Sequence, residues 1–382
     1  MQAAPHAAPH AAPVMAEPAN RPSFRAAIVG CGRMAHGHAQ AYLADPRVEL
    51  VACADISPEA ARAFAAEFDI PRHYEDFHEM LRTERPGIVS ICTHHHLHAP
   101  MTIETASIAA PRAILCEKPI ALDLASADAM IAACTAAGTL LLVGHQRRFD
   151  RQYIVAREAI ASGKIGEVIS VEAFGHPRSS LLVDSTHTVD LVRFFLGDPR
   201  GAWVIGQIDA REHRNAWGQQ IEDCAVGLIG FEGGGHLLLG AGSIGDGEVD
   251  GRLGISPRPV DGATYHRIVV HGAAGRLVVD GDRPLSGQPL VAVHRGAEVE
   301  VLFSAGDFAR GPGRSAVDLE VAAMIDTLQE PARRHPLQAH SARATLEILL
   351  AIYESSRRRQ AVRLPLEIVD NPLIAMLAAG DI

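Results

Sequence analysis

The sequence predicts an α/β chain: an N-terminal doubly wound parallel sheet, then a C-terminal α+β domain built on a large, mostly antiparallel sheet. Three observations predict it. The chain has 382 residues, more than one hydrophobic core normally serves. Between residues 26 and 146, short continuous apolar runs alternate with helical stretches, as parallel strands covered on both faces require. After about Phe149 the strands shorten and alternate, broken by glycine clusters such as FEGGGH and GDGEVDG.

Each element follows in order. AAIVG (26–30) is an apolar strand, with a helix after it to about Asp45. VELVACAD (48–55) is the second strand. The helix SPEAARAFAAEF has Ser57 as N-cap and Pro58 at its first position. A helix near Phe77–Thr83, a strand at 87–93, a helix near Ala99–Ile108 and a strand at 113–119 come next. Asp123–Ala137 reads as a helix and 139–146 as a strand. Beyond these, Tyr153–Ser162 is helical, VISVEAF alternates as a strand, and Asp184–Leu196 returns to helix. Ala202 to about Leu302 is antiparallel sheet, one face on helices and one free. Ser315–Glu330 and Ser341–Arg358 close the chain as helices. The expected divisions are an Ala/Pro/His-rich disordered tail (1–23), a parallel-sheet α/β domain (24–147), an α+β domain (148–365) and a C-terminal extension (366–382).

Composition removes several function classes. Hydrophobic residues make up 48% and charged residues 21%, which is ordinary for a globular protein. A net charge of −10, from 35 basic and 45 acidic residues, argues against a nucleic-acid partner. No apolar run is long and clean enough to span a bilayer, so no membrane partner is expected. The first 23 residues lack the basic and apolar regions of a secretory signal. Six cysteines form no CxxC pair, and Cys31, Cys53, Cys92 and Cys116 lie in or beside apolar runs. They read as buried reduced thiols, which places the protein in a reducing cytoplasm.

The first strand ends in Gly30-Cys31-Gly32-Arg33-Met34-Ala35, a GxGxxA sequence. Gly30 permits a tight turn, Gly32 lets backbone approach a pyrophosphate, and Ala35 lets the helix pack close. The helix start offers free N–H groups to phosphate. Asp55 ends the second strand, where a carboxylate accepts both ribose hydroxyls and repels a 2′-phosphate. These features predict a Rossmann dinucleotide site that prefers NAD. Arg62, about one turn along, would suit NADP, the lesser alternative. Asp55 could instead simply cap the following helix.

Cys116-Glu117-Lys118-Pro119 ends a later strand, after a Thr93…His98 loop and ahead of GHQRRFD (144–150). From about Phe24 to Pro365 the chain resembles the Gfo/Idh/MocA oxidoreductases, which include glucose-fructose oxidoreductase and inositol dehydrogenase. The resemblance implies that Lys118 reaches the nicotinamide and the reacting carbon, that Glu117 contacts the nicotinamide ribose, and that Lys118–Pro119 is cis. It also implies that Thr93, His94, His95, His98 and Gln146 border the cofactor. His94 and His95 depart from the family's usual residues there. Four clustered histidines invite a metal reading, but no carboxylate is near in sequence, and no metal is expected.

The family carries D-x-x-x-H-x-x-D on a helix of its second domain. Here His187 and Asp190 match, Val183 stands at the usual aspartate, and Asp184 lies three before the histidine. Asp184 either serves the site after a small rotation or caps the helix. The catalytic set so implied is Lys118, His187, Asp184 and Asp190. His187 takes the hydroxyl proton, Lys118 stabilises the alkoxide, and Asp190 fixes the imidazole tautomer. Arg147, His176, Arg178 and Trp217 are the expected substrate contacts.

The expectation is an NAD(P)-dependent oxidoreductase moving hydride between nicotinamide and a secondary alcohol of a sugar, inositol or related polyol. Two other readings share these residues. One is an enzyme that recycles tightly held NAD, as glycosidase-like or intramolecular redox relatives do. The other is a non-catalytic dinucleotide-binding sensor, which the Val183 departure keeps open. The small-molecule substrate is polyol- or sugar-like. Assembly is expected as a homodimer or homotetramer through the open face of the C-terminal sheet.

Overall fold

The computed structural model describes residues 24–175, 180–242, 266–281, 289–308, 314–330 and 332–382. The tail at 1–23, His176, Arg178 and the GDGEVDG cluster (245–251) lie outside the described residues.

The first unit runs β1 (Phe24–Val29), α1 (Arg33–Ala44), β2 (Val48–Ala54), α2 (Pro58–Glu67), β3 (Arg72–Tyr74), α3 (Phe77–Glu84), β4 (Ile88–Ile91), α4 (His98–Ala109), β5 (Ala113–Cys116), α5 (Leu124–Ala137) and β6 (Leu140–Val143). All six strands are parallel, in the order β3-β2-β1-β4-β5-β6. β4 and β5 are buried at every residue, which explains their unbroken apolar text. Caps stop the helices where the sequence places them. Ser57 Oγ accepts from Ala60 N at 3.3 Å, Asp123 Oδ1 accepts from Ser126 N at 2.7 Å, and Gly138 ends α5 with φ +67°. The strand order reverses between β1 and β4, and that switch point opens a crevice at the carboxyl ends of the strands. β3 is a short edge strand that the sequence reading did not include.

The second unit continues with α6 (Arg151–Ala161), β7 (Val168–Phe174), α7 (Thr186–Phe195), β8 (Gly201–Asp209), β9 (Asn215–Ala216), β10 (Gln219–Gln220), β11 (Cys224–Phe231) and β12 (His236–Gly242). Then come β13 (Arg267–Gly272), β14 (Gly275–Asp280), β15 (Val291–Arg295), β16 (Glu298–Phe303), α8 (Ala305–Phe308), α9 (Ala316–Gln329), α10 (Ala339–Arg358), β17 (Val362–Arg363) and α11 (Pro372–Ala379). Nine strands form one sheet in the order β16-β15-β14-β13-β7-β12-β11-β8-β17. Only the β7–β12 pair is parallel. The inner face packs on helices: a Cβ on Gly206 would lie 2.7 Å from Ile352 Cγ2 of α10. The outer face carries Ile169, Ile205, Val226, Leu228, Leu238, Val299 and Val301, all exposed.

Two closing elements depart from the sequence division at 147/148. α9 packs on the first unit: its Val321, Met324, Ile325 and Leu328 share a core with Ala35, Ala39 and Tyr42 of α1. Arg47 Nη1 donates to Asp326 Oδ1 at 2.7 Å across the same seam. The segment 366–382 is not a bare extension. α11 buries Leu373 and Met376, and Asn371 Nδ2 donates to Leu122 O at 2.9 Å.

Candidate active site

The GxGxxA turn fits its motif in geometry. Gly30 has φ +87°, and a Cβ there would stand 2.8 Å from Cys92 O, so only glycine fits. A Cβ on Gly32 would meet nothing within 4 Å, which leaves an open cradle. No side chain caps α1, so the N–H groups of its first turn face the crevice. Asp55 Oδ2 accepts from Cys31 N at 2.8 Å and Oδ1 from Ser57 N at 2.9 Å. The carboxylate is thereby fixed at the strand end while keeping acceptor capacity for hydroxyls. It holds the glycine turn and the start of α2 at once.

A cleft of about 410 Å³ runs from this turn to the second unit. Gly32, Arg33, Met34, Thr93, His94, His95, Glu117, Lys118, Asp184 and Trp217 line it, ten of the residues singled out in the sequence. Cys92, Val183, Arg214, Asn215, Ala216 and Ile221 line it as well and were not anticipated. Thr93 Oγ1 and Gln146 Oε1 are buried and lack a partner among the described residues. The orphaned Thr93 Oγ1 beside the glycine turn, with an uncapped helix start and an open glycine cradle, fits a dinucleotide rather than a packed core.

Lys118 follows β5 across a cis bond to Pro119. Its Nζ donates to Val183 O at 2.6 Å. Burial holds its pKa below the usual lysine range, although the Glu117 and Asp184 carboxylates pull upward. Val183 and Asp184 lie in a single π turn, Leu181–Ser185, where Ser185 N donates to Ser180 O at 3.0 Å. The extra residue of that turn rotates Asp184 into the cleft, so helix α7 begins at Thr186 and not at Asp184. Glu222 supports the turn: it accepts from Leu181 N and, at 2.6 Å, from Tyr353 OH.

His187 lies on α7, every residue of which is buried. Burial, with the charges of Lys118 and Arg147, drives its pKa well below the ordinary histidine value. Its Nδ1 has no partner among the described residues. Two further imidazoles flank its ring edge-on, His145 at 5.5 Å and His266 at 5.8 Å between centroids. Burial also takes His145 down to about 4 and His266 well below its usual value. Neither was singled out in the sequence. His145 stood inside GHQRRFD, and His266 has no local motif.

Asp190 does not fix the His187 tautomer as expected. Arg148 claims it, through Nε to Oδ2 at 2.7 Å and Nη2 to Oδ1 at 2.8 Å. A guanidinium fork fits a carboxylate better than one imidazole N–H does. Asp190 lies 3.8 Å from His145 Nδ1. His98 is likewise withdrawn from the cleft. It is fully buried, with Nδ1 2.7 Å from Pro119 O and Nε2 3.1 Å from Thr93 O, so it braces the loop that borders the cleft. Arg147 is half-buried in the turn after β6, close enough for its charge to depress His187 and His266.

The β9–β10 hairpin roofs the histidine loop. Trp217 and Gly218 have φ +52° and +79°, the pair of positive values a two-residue hairpin turn needs. Gln219 Nε2 meets His95 Nδ1 at 3.0 Å, so the buried His95 accepts there. A Cβ on Gly218 would stand 3.3 Å from His94 Nδ1 and from His96 Cε1.

The chain is similar to several known proteins. Residues 24–145 match the Gfo/Idh/MocA model, described as an oxidoreductase family with an NAD-binding Rossmann fold. The inositol 2-dehydrogenase of Rhizobium meliloti is 30% identical over 278 residues, covering 69% of this chain and 77% of that protein. The myo-inositol 2-dehydrogenase of Thermotoga maritima is 27% identical over 275 residues, covering 68% and 76%. A levoglucosan dehydrogenase solved with NADH superposes with a TM-score of 0.74 at 19% identity, covering 90% of this chain and 99% of that one, a likeness of fold. With its parallel sheet, dinucleotide cleft and lysine after the fifth strand, the chain belongs to the Gfo/Idh/MocA family of oxidoreductases.

Proposed function

We propose that the protein is an NAD-dependent dehydrogenase that moves hydride between nicotinamide and a secondary alcohol of an inositol, sugar or related polyol. The observation that carries this reading is Lys118, partly buried at the cleft floor with its Nζ on the turn that leads into His187. NAD, when bound, supplies the hydride acceptor. Lys118 steadies the negative charge that grows on the substrate oxygen. His187 is neutral at pH 7, so it has a lone pair for the hydroxyl proton. Asp184 supports the charge on Lys118 from the opposite wall. Trp217, which lines the cleft, and Arg147 are the side chains proposed to meet the rest of the substrate. NAD is preferred over NADP because Asp55 presents a carboxylate where a 2′-phosphate would sit.

The assembly we propose is a homodimer or homotetramer through the outer face of the nine-stranded sheet, whose exposed Ile, Val and Leu side chains form an apolar stripe. The six free thiols suit a reducing compartment.

The test follows absorbance at the reduced-nicotinamide band over a panel of inositols, sugars and polyols with NAD. Net reduction of NAD supports the dehydrogenase. Turnover of a glycoside without net reduction supports cofactor recycling instead. Lys118→Ala should abolish turnover, by at least about 10²-fold, while NAD still binds. Unchanged turnover removes Lys118 from the mechanism.

A further inference from the structure

Behind the cleft floor lies a buried chain of four polar side chains that the hydride-transfer step does not itself use. His38 and Tyr42 come from α1, Ser90 from β4, and Glu117 from the residue before the cleft lysine. The first three are fully buried and Glu117 is 5% exposed. Tyr42 OH lies 2.7 Å from Ser90 Oγ, Ser90 Oγ lies 2.9 Å from His38 Nδ1, and His38 Nε2 lies 3.0 Å from Glu117 Oε1.

The donors run in one direction. Tyr42 donates to Ser90, Ser90 donates to Nδ1, and the remaining N–H, on Nε2, donates to the carboxylate. In this arrangement every donor of the chain has an acceptor, and the chain ends on the Glu117 carboxylate. Glu117 has room for this bond because residue 144 is glycine: a Cβ there would stand 3.3 Å from Glu117 Oε1. Its other oxygen accepts from Lys118 N at 3.3 Å.

We propose that His38 is a positioning residue of the hydride-transfer site: it fixes the Glu117 carboxylate against Lys118 and so controls the charge that Lys118 carries. The proposal rests on the dehydrogenase reading only for its kinetic consequence.

The electrostatic surroundings agree. Burial raises the Glu117 pKa, but the His38 bond, with His38, Lys118 and His98 nearby, outweighs it and leaves the carboxyl below its usual range. Glu117 is also felt by Cys92, just past β4, by Cys116 of β5, by His145 after β6 and by Glu320 on α9. Burial, with Glu117 adding to it, drives the Cys92 thiol and the Glu320 carboxyl upward, toward their neutral forms. Lys118 itself faces Glu117 and Asp184, which favour its proton, and Arg147 and Arg33, which oppose it. Without the His38 donor, Glu117 protonates more readily, Lys118 loses a neighbouring anion, and the lysine releases its proton at lower pH.

The chain offers a direct readout, because Lys118 and Lys164 are its only lysines. Protein labelled with [13Cε]-lysine gives two side-chain resonances, and Lys164→Arg assigns them. In the full-length protein, His38→Phe should lower the Lys118 titration midpoint by about one unit and leave Lys164 in place. Glu117→Gln should give a similar drop, and the double variant no more than the larger single one. His38→Gln, which keeps an N–H toward Glu117, should restore the wild-type value. Should His38→Phe fail to fold, His38→Asn, whose amide is too short to reach Glu117, reads the same shift. The high-pH limb of kcat should move with the Lys118 midpoint. A midpoint within about 0.3 unit of wild type in the folded variant overturns the proposal, as do additive shifts or an equal shift at Lys164. Wild-type protein that turns over no polyol would sink the dehydrogenase reading while leaving the titration to decide the role of His38.

Discussion

Removing Arg148 should damage the protein far more than its distance from the cleft floor suggests. Its side chain is 1% exposed, and it holds Asp190, itself 3% exposed, by two bonds of 2.7 and 2.8 Å. A third bond, Nη2 to Asp198 Oδ1 at 2.6 Å, goes to a carboxylate 38% exposed, which water can serve instead. Arg148→Ala therefore strands one buried anion rather than two. Breaking a buried pair from one side costs about 3–5 kcal/mol. At roughly 2–4 °C per kcal/mol for a unit of this size, Tm should fall by about 6–20 °C. Thermal unfolding followed by circular dichroism measures it. Arg148→Met with Asp190→Leu removes both charges and should recover most of the loss. A single variant that loses under about 1 kcal/mol would refute the argument, and so would a double variant no more stable than the single.

Acid should weaken the fold through its buried histidines. Burial holds His145 and His335 down at about 4 and His95 at about 3, while the unfolded chain takes up protons near 6.5. Between those values the unfolded state binds more protons, so stability rises with pH and falls as pH drops from about 6.5 toward 4. Each such histidine contributes a slope of up to about 1.4 kcal/mol per pH unit, and urea unfolding at pH 7, 6 and 5 reads the sum. A flat profile over that range would contradict the burial. At the cofactor end, Asp55→Ser should weaken NAD and bring the Kd values of NAD and NADP closer, by about tenfold in their ratio, as measured by calorimetry. An unchanged ratio would mean Asp55 serves only its bonds to Cys31 and Ser57.

Much of the first unit was legible because its signals are local. Apolar runs such as IVSI and AILC can be little else but buried strands, and Ser57-Pro58 and Asp123 are caps whose partners sit two or three residues on. The glycine turn and Asp55 were legible for the same reason; Lys118 was legible through the family resemblance, and the sequence left Asp184 open between the site and a helix cap, although both line the cleft. Pairings across the fold were not. Arg148 and Asp190 are 42 residues apart, and His38 and Glu117 are 79 apart, so no spacing announces either bond. β3 was missed because its three residues, Arg72, His73 and Tyr74, are mostly exposed and bury no apolar run. The π turn hid because its extra residue leaves no mark in composition, although it decides where Asp184 points. α11 could have been read: Asn371 caps it, Pro372 opens it and Gly380 ends it.

The seat of α9 also bears on how the chain is made. The ribosome delivers β1 to β6 first, yet the apolar flank of α1 waits for a helix that ends at Gln329. From residue 147 to that point lie 182 residues, so synthesis at about 5–20 residues per second leaves the flank bare for roughly 10–35 s. During that interval the nascent protein displays a sticky strip around Ala35, Ala39 and Tyr42. Nothing delivered before α9 supplies that cover, so the closing helix completes the core of the opening unit.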